Sequence, residues 1–69
     1  RLQYLAGMAC LKRQLWGKAQ QLLTQSTQQL PDARLRRSAW QHLAELAERR
    51  GDREAAAQAW KSAALAAND

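Results

Sequence analysis

The sequence predicts an all-α fold made of two stacked helix-turn-helix units, that is, four antiparallel helices that begin an α-solenoid. Fifteen alanines and nine glutamines among 69 residues favour helix, whereas phenylalanine is absent and β-branched residues are almost absent, which disfavours a sheet. The second half of the chain also repeats the first at a shift of 37 residues. The matched positions are Gly7 and Ala44, Ala19 and Ala56, Leu23 and Trp60, and Pro31 and Asn68. A period in the 30s is typical of helical units that stack side by side.

The chain is short for an independent domain. We expect one domain over residues 1–69, with repeat one at about 1–32 and repeat two at about 33–69. Below about 70–80 residues a single core contributes only a few kcal/mol. Stacked repeats therefore depend on neighbouring units. Since the chain begins at Arg1 rather than at Met, we expect it to be part of a longer protein.

The first unit is predicted to contain helices at about Leu2–Gln14 and Lys18–Leu30, with Trp16 and Gly17 in the turn between them. Apolar residues lie on two stripes of the first helix, so that it can contact neighbours on both sides. The stripes are Leu2, Leu5, Ala6 and Ala9, and Tyr4, Met8, Leu11 and Leu15. The second helix is expected to bury Ala19, Leu22, Leu23, Ser26 and Leu30. The Pro-Asp pair at 31–32 ends it, because proline disfavours helix before it and lacks an amide donor.

The second unit is predicted to contain a helix from about Ala33 to Arg50 and a last helix that begins after Asp52. Gly51 suits the C-terminal cap between them, since glycine adopts a left-handed backbone without a steric penalty. Asp52 is expected to cap the N-terminus of the last helix. That helix is expected to bury small side chains and one large one, namely Ala55, Ala56, Ala59, Trp60, Ala63, Ala64 and Ala67.

The motif residues of repeat two resemble those of the tetratricopeptide repeat. The pattern Trp-x-x-Leu-Ala at 40–44 is followed by Ala56, Trp60 and Ala63, where the family has small, aromatic and small residues. Ala6-Gly7, Ala19, Leu23, Ser26 and Pro31 fit the same frame in repeat one. The resemblance implies that the small residues let paired helices cross closely and that the large ones wedge between successive repeats.

The whole chain is similar to the C-terminal repeat region of the HemY family, through Leu-Trp-Gly-Lys-Ala at 15–19, Arg-Gly-Asp at 50–52 and Ala-Trp-Lys at 59–61. HemY proteins are bacterial inner-membrane proteins associated with protohaem biosynthesis. The resemblance implies membrane spans upstream of Arg1 and a soluble domain here, on the cytoplasmic face. It further implies a scaffold role in porphyrin metabolism.

In the tetratricopeptide family a concave groove is lined by fixed positions on the first helix of each unit. Carried over, these positions are Tyr4, Met8, Leu11, Lys12, Ser38, Gln41, Glu45, Glu48 and Arg49. The family's clamp for a terminal carboxylate is absent, because Tyr4 and Met8 stand where it has Lys and Asn. A groove that is partly apolar and partly charged suits an amphipathic helix or an extended peptide. The alternative is that this stripe packs against an upstream repeat.

The residue types argue against catalysis. No nucleophile-base pair, glycine-rich phosphate loop or metal-ligand set is recognisable in the sequence, and Glu45 and Glu48 beside Arg49 suit ordinary salt bridges. Cys10 is the single cysteine, which excludes an internal disulfide and a cysteine-based zinc site. The net charge of +5 includes a basic run, Arg34, Arg36 and Arg37, but no nucleic-acid module accompanies it. We therefore expect no nucleic-acid partner.

Two functional hypotheses remain. The leading one is a non-enzymatic protein-interaction module without a cofactor, which binds an unidentified protein or peptide and forms a symmetric homodimer through the Met8 stripe. The alternative is a module that binds haem or another tetrapyrrole, with axial ligands chosen from His42, Met8, Cys10 and Tyr4. Membrane contact is expected only through upstream segments.

Overall fold

Four α-helices follow one another along the chain in the computed structural model, which describes residues 2–66. The helices are α1 (Leu2–Lys12), α2 (Trp16–Gln29), α3 (Ala33–Arg49) and α4 (Arg53–Ala66), and no strand occurs in this range. The predicted all-α class is therefore confirmed. The predicted burial of Ala67 and of the Leu2 side chain concerns groups outside the described part of the chain.

Each helix packs against the next one in sequence, so α1 contacts α2, α2 contacts α3 and α3 contacts α4. The buried core cluster draws on α2, α3 and α4, and consists of Ala19, Leu23, Ala39, Leu43, Ala44, Leu46 and Ala59. Helix α1 adds half-buried apolar side chains packed against this cluster, namely Tyr4, Met8, Cys10 and Leu11. Leucine and alanine thus provide the whole of this cluster.

Helices α1 and α2 approach closely at Gly7, as the tetratricopeptide pattern implies for this position. A Cβ atom built on Gly7 would lie 2.9 Å from Leu23 Cγ and 3.0 Å from Leu23 Cδ2. Leu23 is itself fully buried, so it has no free space to move into. In repeat two the corresponding position is Ala44, which is also fully buried. A small side chain is therefore needed where α1 crosses α2.

The two turns within the units have the same backbone structure, 37 residues apart. Gln14 and Gly51 adopt the left-handed conformation, with φ of 62° and 76°. The amide of the next residue then bonds back across the turn, from Leu15 to the Cys10 carbonyl and from Asp52 to the Ala47 carbonyl, both at 2.9 Å. This is the Schellman arrangement of helix C-termini. The prediction for Gly51 is confirmed.

The turn of repeat one is not at Trp16 and Gly17, where the sequence analysis placed it. Trp16 is the first residue of α2, and Gly17 lies within that helix. The left-handed residue is Gln14, so the chain reverses over residues 13–15. The second helices of the two units, α2 and α4, start at Trp16 and Arg53, and the first helices, α1 and α3, end at Lys12 and Arg49. The helix boundaries therefore repeat at the same 37-residue shift as the sequence.

Aspartate side chains cap the N-termini of α3 and α4. Asp52 Oδ1 accepts a hydrogen bond of 3.1 Å from the Ala55 amide, which confirms the predicted cap. Asp32 Oδ1 accepts one of 2.8 Å from the Arg34 amide at the start of α3. Arg36 Nη1 donates to the Leu30 carbonyl at 2.9 Å, just after the end of α2. Part of the predicted basic run thus serves the connection between the units.

The predicted burial on α4 holds for Ala56, Ala59 and Ala63, is only partial for Ala55, and is wrong for Trp60 and Ala64. Trp60 is 40% exposed, and its Nε1 donates to Glu48 Oε2 at 3.2 Å. Trp60 is exposed because of its place in the sequence of packed helices. In repeat one α3 packs on α2, and the corresponding Leu23 belongs to a buried cluster that includes Leu43 and Leu46 of α3, whereas in the described range no helix follows α4 to cover Trp60.

Candidate partner-binding cleft

A cleft of about 280 Å³ lies between α1, α3 and the first residue of α2. We call it the α1–α3 cleft. It is lined by Met8, Leu11, Lys12, Trp16, His42, Glu45, Leu46 and Arg49. Met8, Leu11 and Leu46 make it apolar, and Leu46 is nearly fully buried. The exposed charged side chains of Lys12, Glu45 and Arg49 surround this apolar surface.

The structure places Met8, Leu11, Lys12, Glu45 and Arg49 of the predicted groove in this cleft and the remaining four residues elsewhere. Tyr4 Oη and Ser38 Oγ share a hydrogen bond of 2.9 Å, which joins α1 to α3 outside the lining of the cleft. Gln41 is exposed on α3. Glu48 lines a second cleft, together with Trp60 on α4. The predicted set is thus divided between several surfaces of the molecule.

Sequence reasoning missed three lining residues, Trp16, His42 and Leu46. The sequence predicts a turn at Trp16, whereas this residue begins α2 and faces α3. The signal for the other two is the spacing on α3, because residues 42, 45, 46 and 49 follow the i, i+3, i+4, i+7 pattern of one helix face. On α1 residues 8, 11 and 12 share the same kind of spacing.

Arg49 and Trp16 form one end of the cleft. The guanidinium carbon of Arg49 lies 4.9 Å from the centroid of the Trp16 ring, within the range of a cation–π contact. Lys12 is the last residue of α1 and Arg49 is the last residue of α3. Cations are favourable at both sites because helix C-termini carry partial negative charge. Two cationic side chains therefore lie at this end of the cleft.

His42 and Glu45 lie one turn apart on α3 and face each other. His42 Nδ1 is 3.3 Å from Glu45 Oε1, and the His42 side chain is 29% exposed. In the described range no three His, Cys, Asp or Glu side chains are arranged to hold a metal ion. The cleft combines an apolar surface with two cations at one end and a His–Glu pair on α3.

None of the helices described is both long and apolar enough to cross a membrane. Comparison of the chain with protein-family models, with curated proteins and with solved structures finds no match. The tetratricopeptide and HemY resemblances consequently depend on the motif residues alone.

Proposed function

We propose that this chain is a non-enzymatic protein-interaction module of the tetratricopeptide type, which binds an amphipathic peptide in the α1–α3 cleft. The observation that carries the proposal is the composition of that cleft, an apolar surface between two helices with charges at its edges. The matching turns and helix starts in the two units support a repeat architecture. Within the HemY resemblance, the module would be a scaffold of an inner-membrane protein linked to haem biosynthesis.

The size of the cleft favours a peptide over a small molecule. Small-molecule sites usually occupy about 300–1,000 Å³ and bury most of their ligand. At about 280 Å³ the α1–α3 cleft is at the lower limit, and it is open to solvent. Such a cleft suits a few apolar side chains of a longer ligand. An amphipathic helix presents apolar anchors of this kind at i, i+3 or i+4 spacing.

The charges at the cleft define the expected peptide further. Lys12 and Arg49 lie at the C-terminal ends of α1 and α3, and Glu45 is the one acidic side chain in the lining. A carboxylate on the peptide would be attracted to the Lys12–Arg49 end. The bound peptide is therefore expected to carry Leu, Met or aromatic anchors and an acidic residue beside them.

A peptide-display selection against the chain tests this proposal. Enriched peptides are expected to show apolar residues at helical spacing with an adjacent Asp or Glu. Met8→Glu introduces a charge into the apolar lining and is expected to weaken binding at least tenfold. Gln21→Glu adds the same charge at an exposed site on α2, outside the cleft, and is the matched control.

Chemical-shift mapping of one selected peptide then locates the site. Shifts are expected at Leu11, Leu46 and the Trp16 indole. Enrichment of peptides that bind Met8→Glu and the unmodified chain equally, or shifts confined to other faces, would refute the proposal.

Tetrapyrrole binding is the second candidate, and one observation favours it. His42 and Met8 line the same cleft, and Glu45 faces His42 Nδ1. In metal sites a carboxylate on one ring nitrogen orients the other nitrogen toward the metal. The volume of the cleft argues against enclosure, because a cleft of about 280 Å³ is at the lower limit for a small-molecule site and would cover only part of a macrocycle.

Haemin titration decides between the candidates. A sharp, stoichiometric Soret shift that His42→Ala abolishes and Gln41→Ala preserves would support tetrapyrrole binding. A broad, non-saturating change that is the same in both variants would exclude His42 as a ligand.

A further inference from the structure

The two repeats differ in which of their corresponding residues are buried. Leu23 and Thr27 are buried on α2, whereas their counterparts on α4, Trp60 and Ala64, are exposed. The explanation is that α3 packs against α2, while no described helix packs on the far side of α4. We call this exposed surface of Ala57, Trp60 and Ala64 the α4 end face. It adjoins a cleft of about 540 Å³ that includes Trp60, Ala57 and Glu48.

Helix α1 also differs from its counterpart α3 in burial. Residues that are buried on α3 are exposed at the corresponding positions of α1. On α3, Leu43 is 8% and Leu46 is 2% exposed. Their counterparts on α1 at the 37-residue shift, Ala6 and Ala9, are both exposed. Ala6 and Ala9 form what we call the α1 end face. The surface that α3 uses to cover α2 therefore has an uncovered equivalent on α1.

The two end faces are complementary in side-chain volume. Inside the molecule, Leu23 belongs to one buried cluster with Leu43 and Leu46. At the end faces a tryptophan replaces Leu23, and alanines replace the two leucines. A larger side chain on one surface is thus matched by smaller ones on the other. Volume-conserving exchanges of this kind keep a packed contact intact.

We propose that the α4 end face of one copy of this chain packs against the α1 end face of a second copy. The contact reproduces the α2·α3 contact within the molecule. Because two different surfaces meet, the association is end to end and additional copies can join at either end. It uses surfaces other than the α1–α3 cleft, and it differs from the symmetric dimer expected from the sequence.

Sedimentation equilibrium over a wide concentration range, with two single variants and their mixture, tests the proposal. Trp60→Glu blocks the α4 end face, and Ala6→Glu blocks the α1 end face. Each variant alone is expected to bind itself at least tenfold more weakly than the unmodified chain. An equimolar mixture retains one intact pair of faces, and is expected to form heterodimers that grow no further.

Controls keep each outcome decisive. Both substitutions are at exposed positions, and circular dichroism confirms that the variants are folded. Ala64→Glu is the second α4 variant, in case Trp60→Glu unfolds. Gln21→Glu controls for added charge.

Three results would overturn the proposal. The first is an unmodified chain that stays monomeric at high concentration. The second is folded variants that do not pair when mixed. The third is a folded Trp60→Glu variant that associates as tightly as the unmodified chain, which would indicate the symmetric dimer instead.

Discussion

Replacing Gly7 by alanine tests the close crossing of α1 and α2, and Gly17 provides a matched control. Both glycines lie within helices, so both replacements improve helix propensity by up to about 1 kcal/mol. They differ in their surroundings. A Cβ on Gly17 has no atom within 4 Å, whereas a Cβ on Gly7 would lie 2.9 Å from Leu23 Cγ. Leu23 is fully buried, so the contact cannot be relieved by a move into solvent.

The expected magnitude follows from these two terms. Overpacking in a dense core costs about 1–3 kcal/mol. Gly17→Ala is therefore expected to raise the free energy of unfolding by up to about 1 kcal/mol. Gly7→Ala is expected to leave it unchanged or to lower it by about 2 kcal/mol, because the propensity gain offsets part of the overpacking. The difference between the variants, about 1–3 kcal/mol, measures the overpacking.

Urea titration followed by far-UV circular dichroism measures both variants under the same conditions. The double variant Gly7→Ala with Leu23→Ala provides a second test, because the alanine at 23 removes the atoms that clash. In that background Gly7→Ala is expected to be neutral or stabilising. If Gly7→Ala equals or exceeds Gly17→Ala in stability, the helices do not cross closely at this residue and the repeat frame of α1 is wrong.

Three further predictions concern the turns, the core and a cap. Gly51→Ala is expected to lower the free energy of unfolding by about 1 kcal/mol, because a φ of 76° is unfavourable for a residue with a side chain. Gln14→Gly should raise the free energy of unfolding by about the same amount for the same reason. Melting temperatures of the two variants that move in the same direction would contradict this. Leu23→Ala should lower the free energy of unfolding by about 2–5 kcal/mol. Trp60→Ala should lower it clearly less, since Trp60 is 40% exposed. The reverse order in a urea titration would show that Trp60 is the main core residue. Asp52→Ala removes the side-chain cap of α4 and should cost about 0.5–2 kcal/mol, checked by thermal melts with Asp52→Asn as the conservative control.

The helices were predictable because their signals are local. Apolar spacing, the Pro-Asp pair at 31–32 and the Gly-Asp pair at 51–52 each act within one or two turns of backbone. The predicted bounds of α3, Ala33–Arg50, differ from the observed Ala33–Arg49 by one residue. Gly51 and Asp52 have the conformation and the hydrogen bond that the sequence predicts. Short-range chemistry thus determined most of the secondary structure.

The turn of repeat one was not predictable from residue type. Gln14 occupies a left-handed position that usually requires glycine, so its side chain gives no signal. Because glycine is typical of turns, the sequence predicts the turn at Gly17, although this residue lies within α2. The turn can be located only from the repeat, because Gln14 lies 37 residues before Gly51, the turn residue of repeat two. Applying the shift to the turns, as well as to the core positions, would have corrected the assignment.

Burial on α4 and the lining of the cleft depend on which helices pack together in three dimensions. The spacing of apolar residues along the sequence does not determine this. The apolar pattern shows that Trp60 belongs to a surface for packing, but burial requires a following helix, which the described range does not contain. The predicted groove residues on α3 were chosen from a family frame that spans more than one helix face. The cleft uses the face of residues 42, 45, 46 and 49, so Gln41 and Glu48 lie on other faces of α3. Ser38 lies on the same face one turn before His42, where its hydrogen bond with Tyr4 joins α1 to α3 beside the cleft.

The two proposed interaction surfaces are the α1–α3 cleft and the pair of end faces, and the 37-residue repeat relates them. The α1–α3 cleft lies between corresponding helices of successive units, since α1 and α3 are each the first helix of their unit. If a second copy places its α1 beside α4 as α3 lies beside α2, its α1 also comes beside α3 of the first copy. A second cleft would then form, with Glu45 in the position of Met8 and Met8 of the second copy in the position of Glu45. At this junction Leu11, Trp16 and Leu46 correspond to Glu48, Arg53 and Ala9, so the second cleft is charged where the α1–α3 cleft is apolar. End-to-end association would therefore place a polar groove next to each apolar cleft, and a long partner would need charged residues between its apolar anchors to contact both.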